Sequence, residues 1–246
     1  EKGNPTPNLH VLRNYQRYLT ANDRVILKVP QIVFAKKIRK GKSFVANTDY
    51  LNADLFVKRF YEPAASILGS NLSGMIFEQE YQRKNEQSTA EKLASELDVF
   101  FSSIPPDDRY HTEIRTGRLL SEPLYRILKK HGVGLVMSHW TWLPSLCEQY
   151  AHSKGAAFNR GNTLLVRLLT PRGKTYADTY AAAHPFDKSV NGMLQAHSVQ
   201  DTVTVMRAAL QNGRWVYLLI NNRAGGNAPL AAVEIVKSFM NDGFRA

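Results

Sequence analysis

Near its end the chain reads Trp215-Val-Tyr-Leu-Leu-Ile220, then Asn221-Asn222-Arg223-Ala224-Gly225-Gly226-Asn227, then Ala228 to Met240. An apolar strand runs into a polar, glycine-bearing turn, and the turn opens a helix. The unbroken run Val216 to Ile220 is what a parallel strand covered on both faces requires. Gly225 and Gly226 allow a tight turn where a Cβ would be strained. Asn227 is placed to cap the helix, with Pro229 in its first turn. A helix start of this kind exposes N–H groups and suits an anion.

Similar units precede it. Strands are expected over residues 25–30, 74–78, 110–115, 133–139 and 163–169. Leu9 to Leu19 has helical spacing, and Asn52 caps a second helix with Leu55, Phe56 and Phe60 inward, restarted or kinked at Pro63. Ser88 with Glu91 forms a capping-box signature before Leu93, Leu97, Phe100 and Phe101. Ser121 to Lys130 is a helix closed by Gly132, as a left-handed cap would close it. Ser198 with Asp201 repeats the capping signal, with Val199, Val203, Met206 and Leu210 facing the core and Gly213 at the end. Lys36 to Lys42 reads as a solvated basic loop. Pro171 to Gln195 has turn residues but no sustained period, and a connection of that length is often functional.

Alternating strands and helices predict a parallel sheet wrapped by helices, an α/β fold. Six strands are fewer than the closed (β/α)8 barrel needs. The first helix already feeds a strand, as if the start were absent. With no repeat, low-complexity tract or linker, residues 1–246 read as one domain.

Composition bounds the function. A hydrophobic content of 43% with 22% charged residues is globular. The single Cys147 excludes an intrachain disulfide and a multi-cysteine zinc site, and predicts a reducing, cytoplasmic setting. No stretch is long enough to span a bilayer, so no membrane partner is expected. The formal charge of +11 favours phosphorylated metabolites, nucleic acid or anionic surfaces as partners, or simply serves solubility. No Lys/Arg block or aromatic nucleic-acid motif decides between these.

In parallel α/β folds reactive groups sit where strands leave for helices. Those positions hold Lys28, Glu78, Glu113 with Arg115, His139, Arg167, and Asn221 with Asn222. Glu113 and Arg115 are two apart, which the strand period puts on one face. Lys28 could bind an anion, act as a desolvated Schiff-base nucleophile, or pair with a carboxylate such as Glu113. Glu113 is a candidate general base or an ionised structural partner of Arg115. His139, between aromatic neighbours, suits proton transfer or packing; no second histidine stands at metal-ligand spacing, so no metal is expected. Thr170-Pro-Arg-Gly-Lys174 and Arg223 to Asn227 follow adjacent strands, the position that in barrels often holds phosphate. Arg172, Lys174 and Arg223 supply charge there, and Gly225 and Gly226 supply backbone N–H groups. There is no Gly-x-Ser-x-Gly elbow, no base placed for Cys147, no Walker loop and no Gly-x-Gly-x-x-Gly turn.

These residues resemble a known family, domain of unknown function 72, the YecE-like proteins. The segment from Trp215 to Ala232 is similar to its closing strand, paired asparagines and small-residue loop. Tyr110 to Trp140 resembles its Glu-aromatic-Arg strand, helix and next strand. Arg24 to Val33 resembles its lysine–proline strand, and Thr163 to Gly173 its arginine-bearing seventh strand. The resemblance implies an irregular TIM-type (β/α)8 barrel whose first strands, with a Gly-x-Ser-Gly-Trp motif and a glutamate, are absent from this sequence. It carries Lys28, Glu113, Arg115, Arg167, Asn221 and Asn222 into the pocket. Departures are Glu78-Gln79-Glu80-Tyr81 in place of Gln-x-Pro-Pro, His139 in place of aspartate, and Leu169-Thr170 in place of His-Gly.

The leading expectation is a pocket at the C-terminal strand ends for a phosphorylated or otherwise anionic ligand. Arg167, Arg172, Arg223 and the Gly225–Gly226 backbone would hold it, and Asn221 and Asn222 would donate hydrogen bonds. Glu113, oriented by Arg115 and Lys28, is the acid–base candidate, with His139 beside them. The alternatives are a nucleic-acid-binding or -processing barrel, motivated by charge, and a non-catalytic scaffold, suggested by the missing His-Gly pair. No cofactor is indicated.

Overall fold

All six expected strands form in the computed structural model, which describes residues 9–41, 43–83, 86, 88–155 and 158–241. Residues 1–8 of the polar start and Lys42 of the expected basic loop lie outside the described residues. The chain divides into two units, Glu1–Ile114 with Arg118–Gly134 and Phe158–Gly161, and Arg115–Gly117 with Leu135–Ala157 and Asn162–Ala246.

In the first unit the order is α1 (Leu9–Gln16), β1 (Val25–Lys28), α2 (Gln31–Phe34), β2 (Lys37–Lys40), β3 (Ser43–Ala46), α3 (Ala53–Phe56), α4 (Glu62–Leu68), β4 (Leu72–Gln79), α5 (Ala90–Ser102), β5 (Tyr110–Ile114) and α6 (Glu122–His131). β1, β4 and β5 pair in parallel, with Leu27 opposite Met75, Lys28 opposite Ile76, Phe77 opposite Thr112 and Glu78 opposite Glu113. Register partners share a face, so Phe77 and Tyr110 point one way while Lys28, Glu78 and Glu113 point the other. The first face is the core. Phe77 packs against Phe34, Phe56 and Phe100 with ring centroids 5.1–5.7 Å apart, mostly tilted or edge-on, as aromatic quadrupoles prefer.

Asn52 caps α3, its Oδ1 accepting from the Leu55 N–H at 3.0 Å. Pro63 falls in the first turn of α4, which follows one π-helical turn, Val57–Tyr61. Gly132 closes α6 at φ 67° and ψ 34°, the left-handed cap that a residue with a Cβ disfavours. Two expectations shift. The residues of the supposed basic loop form β2, which pairs antiparallel with β3. The cap of α5 is Thr89, whose hydroxyl accepts from the Lys92 N–H, while Ser88 bonds Gln82.

The second unit runs β6 (Gly134–His139), α7 (Leu146–His152), β7 (Thr163–Leu168), α8 (Tyr176–Ala183), α9 (Ala196–Gln211), β8 (Trp215–Ile220) and α10 (Ala228–Asn241). β6, β7 and β8 are again parallel, with Ser138 opposite Arg167, Arg167 opposite Leu219, and His139 opposite Leu168. Asn227 caps α10 through the Leu230 N–H at 2.9 Å, with Pro229 inside the first turn. The expected connection 171–195 contains α8, capped by Thr175 on the Asp178 N–H. α9 begins two residues before Ser198, whose hydroxyl instead donates to the Gln195 carbonyl from inside the helix. β8 is half-buried from Val216 to Ile220, with Trp215 exposed, rather than covered on both faces, because it pairs only with β7 among the described residues. No helix among the described residues is long and apolar enough to cross a membrane.

Candidate functional site

Backbone register decides which strand-end residues meet. In the first unit β1, β4 and β5 deliver Lys28, Glu78 and Glu113 to one face. Lys28 Nζ bonds Glu78 Oε1 at 2.8 Å, so its carboxylate is Glu78 rather than the expected Glu113. The Lys28 side chain is 42% exposed, and an amine so wetted lacks the desolvation that a Schiff-base nucleophile needs. Glu113 is fully buried beside Glu78. Two carboxylates and a cation therefore share one surface, a set suited to proton transfer.

In the second unit the strand ends split between the two faces of the sheet. Arg167 pairs in register with Leu219, and Asn221 continues that alternation, its N–H bonded to the Leu168 carbonyl at 2.9 Å. His139 is one residue out of phase and stands on the opposite face, where its ring lies 6.0 Å from that of His197 at the start of α9. Burial lowers the His139 pKa to about 4, helped by the charges of His197 and Arg172 and opposed by Gln195 and Asp201. The imidazole is thus neutral near pH 7, and Arg172 belongs to its surroundings. Arg172 Nη2 donates to the Leu143 carbonyl at 3.0 Å. Arg115 lies one residue beyond β5, with its guanidinium 5.3 Å from the Trp140 ring centre.

The turn after β8 was expected to offer backbone N–H groups to an anion. It uses them itself. The Gly225 and Gly226 N–H groups both reach the Asn222 carbonyl, at 3.4 and 2.7 Å. Gly226 is needed for shape: at φ +95° an added Cβ would come within 2.6 Å of the Lys188 carbonyl. The paired asparagines are fixed through their oxygens, Asn221 Oδ1 accepting the Arg223 N–H at 3.0 Å and Asn222 Oδ1 the Ala228 N–H at 2.8 Å. Their side-chain NH2 groups have no acceptor among the described residues. Next to them the Arg223 guanidinium sits 4.3 Å from the Tyr176 ring centre, with Nε buried and unbonded and no carboxylate in ion-pair range among the described residues. The β8 end is therefore rich in donors and poor in acceptors.

Three further groups bear on the chemistry. A cleft of about 210 Å³ beside Gly225 is lined by Val190, Asn191, Leu194 and Glu234, with no basic side chain, which does not suit an anion. Burial and the Asp201 contact push the Cys147 thiol up to about 11, so it is no thiolate nucleophile at neutral pH. Among the described residues no three or more His, Cys, Asp or Glu side chains gather where they could hold a metal ion.

No strand-end or turn motif points to the rings of α8. Tyr176 and Tyr180 stand one turn apart, and their spacing of four residues inside the long connection was the available signal.

Residues 6–244 match the family model described as "Protein of unknown function DUF72". Among solved structures, a DUF72 family protein from Enterococcus faecalis V583 is 16% identical, with a TM-score of 0.61 over 98% of this chain and 83% of that one. A DUF72 family protein from Thermotoga maritima MSB8 is 14% identical, with a TM-score of 0.56 over 94% and 79%. At those identities the likeness shows the fold, an α/β strand–helix order of the irregular TIM-barrel type. No curated protein matches the chain.

Proposed function

The chain belongs to the DUF72 family, and we propose that its β8 end holds an anionic or phosphorylated ligand. The observation carrying this reading is the run of donors on consecutive residues that have no acceptor among the described residues: the amide NH2 groups of Asn221 and Asn222 and the guanidinium N–H groups of Arg223, which otherwise meets only the Tyr176 ring. The buried Arg223 Nε left without an acceptor costs free energy, and a phosphate or carboxylate oxygen would satisfy it together with the accessible amides beside it. Arg167, on the Asn221 face, adds charge; Gly225 and Gly226 shape the turn, and Arg172 stands apart beside His139.

Inorganic phosphate tests this. At a hundredfold excess over Kd it should stabilise the parent by about 2.7 kcal/mol, read as a rise in Tm. Asn221→Asp keeps the oxygen that accepts the Arg223 N–H but turns the outward donor into an acceptor. That variant, and Arg223→Ala, should fold like the parent and lose the phosphate response. A parent whose Tm ignores phosphate, sulfate and phosphorylated sugars alike sinks the reading.

Acid–base chemistry is a second reading, favoured by Glu78 and Glu113 standing side by side in register. Glu113→Gln should abolish any turnover found while leaving the phosphate response intact.

A further inference from the structure

We propose that the exposed face of α8 binds single-stranded nucleic acid by stacking its bases on Tyr176, Tyr180 and His184. The rings form one run. Tyr176 and Tyr180 are 6.1 Å apart with planes 15° from parallel, and Tyr180 and His184 are 5.6 Å apart at 29°. Phe186 meets Tyr180 edge-on at 5.4 Å, bracing the run from the side. These aromatics are not core: Tyr176 is 61% and Tyr180 42% exposed, and His184 is exposed. Exposed rings in a row forgo the burial that normally accounts for large aromatics, and a base face would recover it.

Charge complements the rings. Arg223 lies against Tyr176, Lys174 precedes the helix, and Lys188 follows Phe186, the last two exposed. Asp178 is two residues past Tyr176, which places it on the other side of the helix, and Thr175 Oγ1 bonds its carboxylate at 2.7 Å. Asp187, between Phe186 and Lys188, is exposed as well. The scaffold under the rings is fixed, since Asn227 Nδ2 bonds the Phe186 carbonyl at 2.8 Å and the Val190 N–H bonds the Gly225 carbonyl at 2.9 Å. Cations that track phosphates beside aromatic platforms are the way single strands are held without sequence preference.

The inference rests on the anion reading of Arg223 and extends it, the anion becoming a strand's phosphate. Fluorescence anisotropy with labelled ten-nucleotide oligo(dA) and oligo(dT) tests it in the full chain. The parent should bind both at low salt and lose affinity as salt rises. Tyr176→Ala and Tyr180→Ala should each weaken binding by roughly five- to a hundredfold, while Tyr176→Phe and Tyr180→Phe retain it. Circular dichroism checks that each variant folds. Absence of oligonucleotide binding, or equal binding by the alanine variants, overturns the proposal, as does tight binding of AMP with none of the strand. A parent stabilised by inorganic phosphate that ignores oligonucleotides keeps the anion site and loses this one.

Discussion

His139 carries its proton chemistry in an unusual direction. Its folded pKa of about 4 lies below the ordinary histidine value of about 6.5, so the unfolded chain takes up a proton that the folded chain refuses. The stability this neutral ring contributes is whole above the unfolded pKa and drains away as pH falls from 6.5 toward 4. Between pH 7 and pH 5 the loss is about 2 kcal/mol. Urea melts of the parent and of His139→Asn should therefore diverge over that interval, with the variant less acid-sensitive; parallel curves would refute the assignment. Gly226 makes a steric counterpart. Gly226→Ala combines a left-handed backbone with a Cβ 2.6 Å from the Lys188 carbonyl and should cost about 2–4 kcal/mol of unfolding free energy.

At the level of elements, the aromatic layer between the β1–β4–β5 strands and helices α2, α3 and α5 dominates the first unit. Phe77→Ala should cost about 3–5 kcal/mol, whereas Val99→Ala, on the wet side of α5, should change stability by less than about 0.5 kcal/mol. Equal effects in denaturant titrations would refute the dominance of this layer. Elements of this kind were legible beforehand because their signals are local. Leu93, Leu97, Phe100 and Phe101 announce one helix face, and the Asn227 cap and Gly132 stop can each be read within a few residues. The hairpin β2–β3 was not legible, because its strands are largely exposed and carry no apolar alternation. Nor was the choice of Thr89 over Ser88, two adjacent hydroxyls equally able to cap. α8 escaped notice because alanine propensity and a threonine cap hold it, without an apolar stripe.

For the whole molecule, register is the quantity that sequence withheld. Polar residues at strand ends can be found by inspection, but a shift of one residue between strands exchanges the faces of every side chain. That is why His139 and Arg167, both at strand ends, fall on opposite sides; strand order, with β4 between β1 and β5, is why Lys28 meets Glu78. The donors left over on Asn221 and Asn222 were likewise invisible until the turn showed which atoms it consumes. Global charge, by contrast, was plain from the start, and the +11 balance gives the exposed cations near α8 a long reach at low salt.

One consequence concerns handling. Trp215 to Ile220 holds no charge, no proline and no glycine, is only half-covered, and hydrogen-bonds a strand along one border alone among the described residues. Such a border is a template for other copies in a concentrated tube. Light scattering of this chain should climb with storage, and Tyr217→Lys, a gatekeeper on that border, should delay the climb without lowering the unfolding free energy by more than about 1 kcal/mol. Identical turbidity curves would place the sticky surface elsewhere.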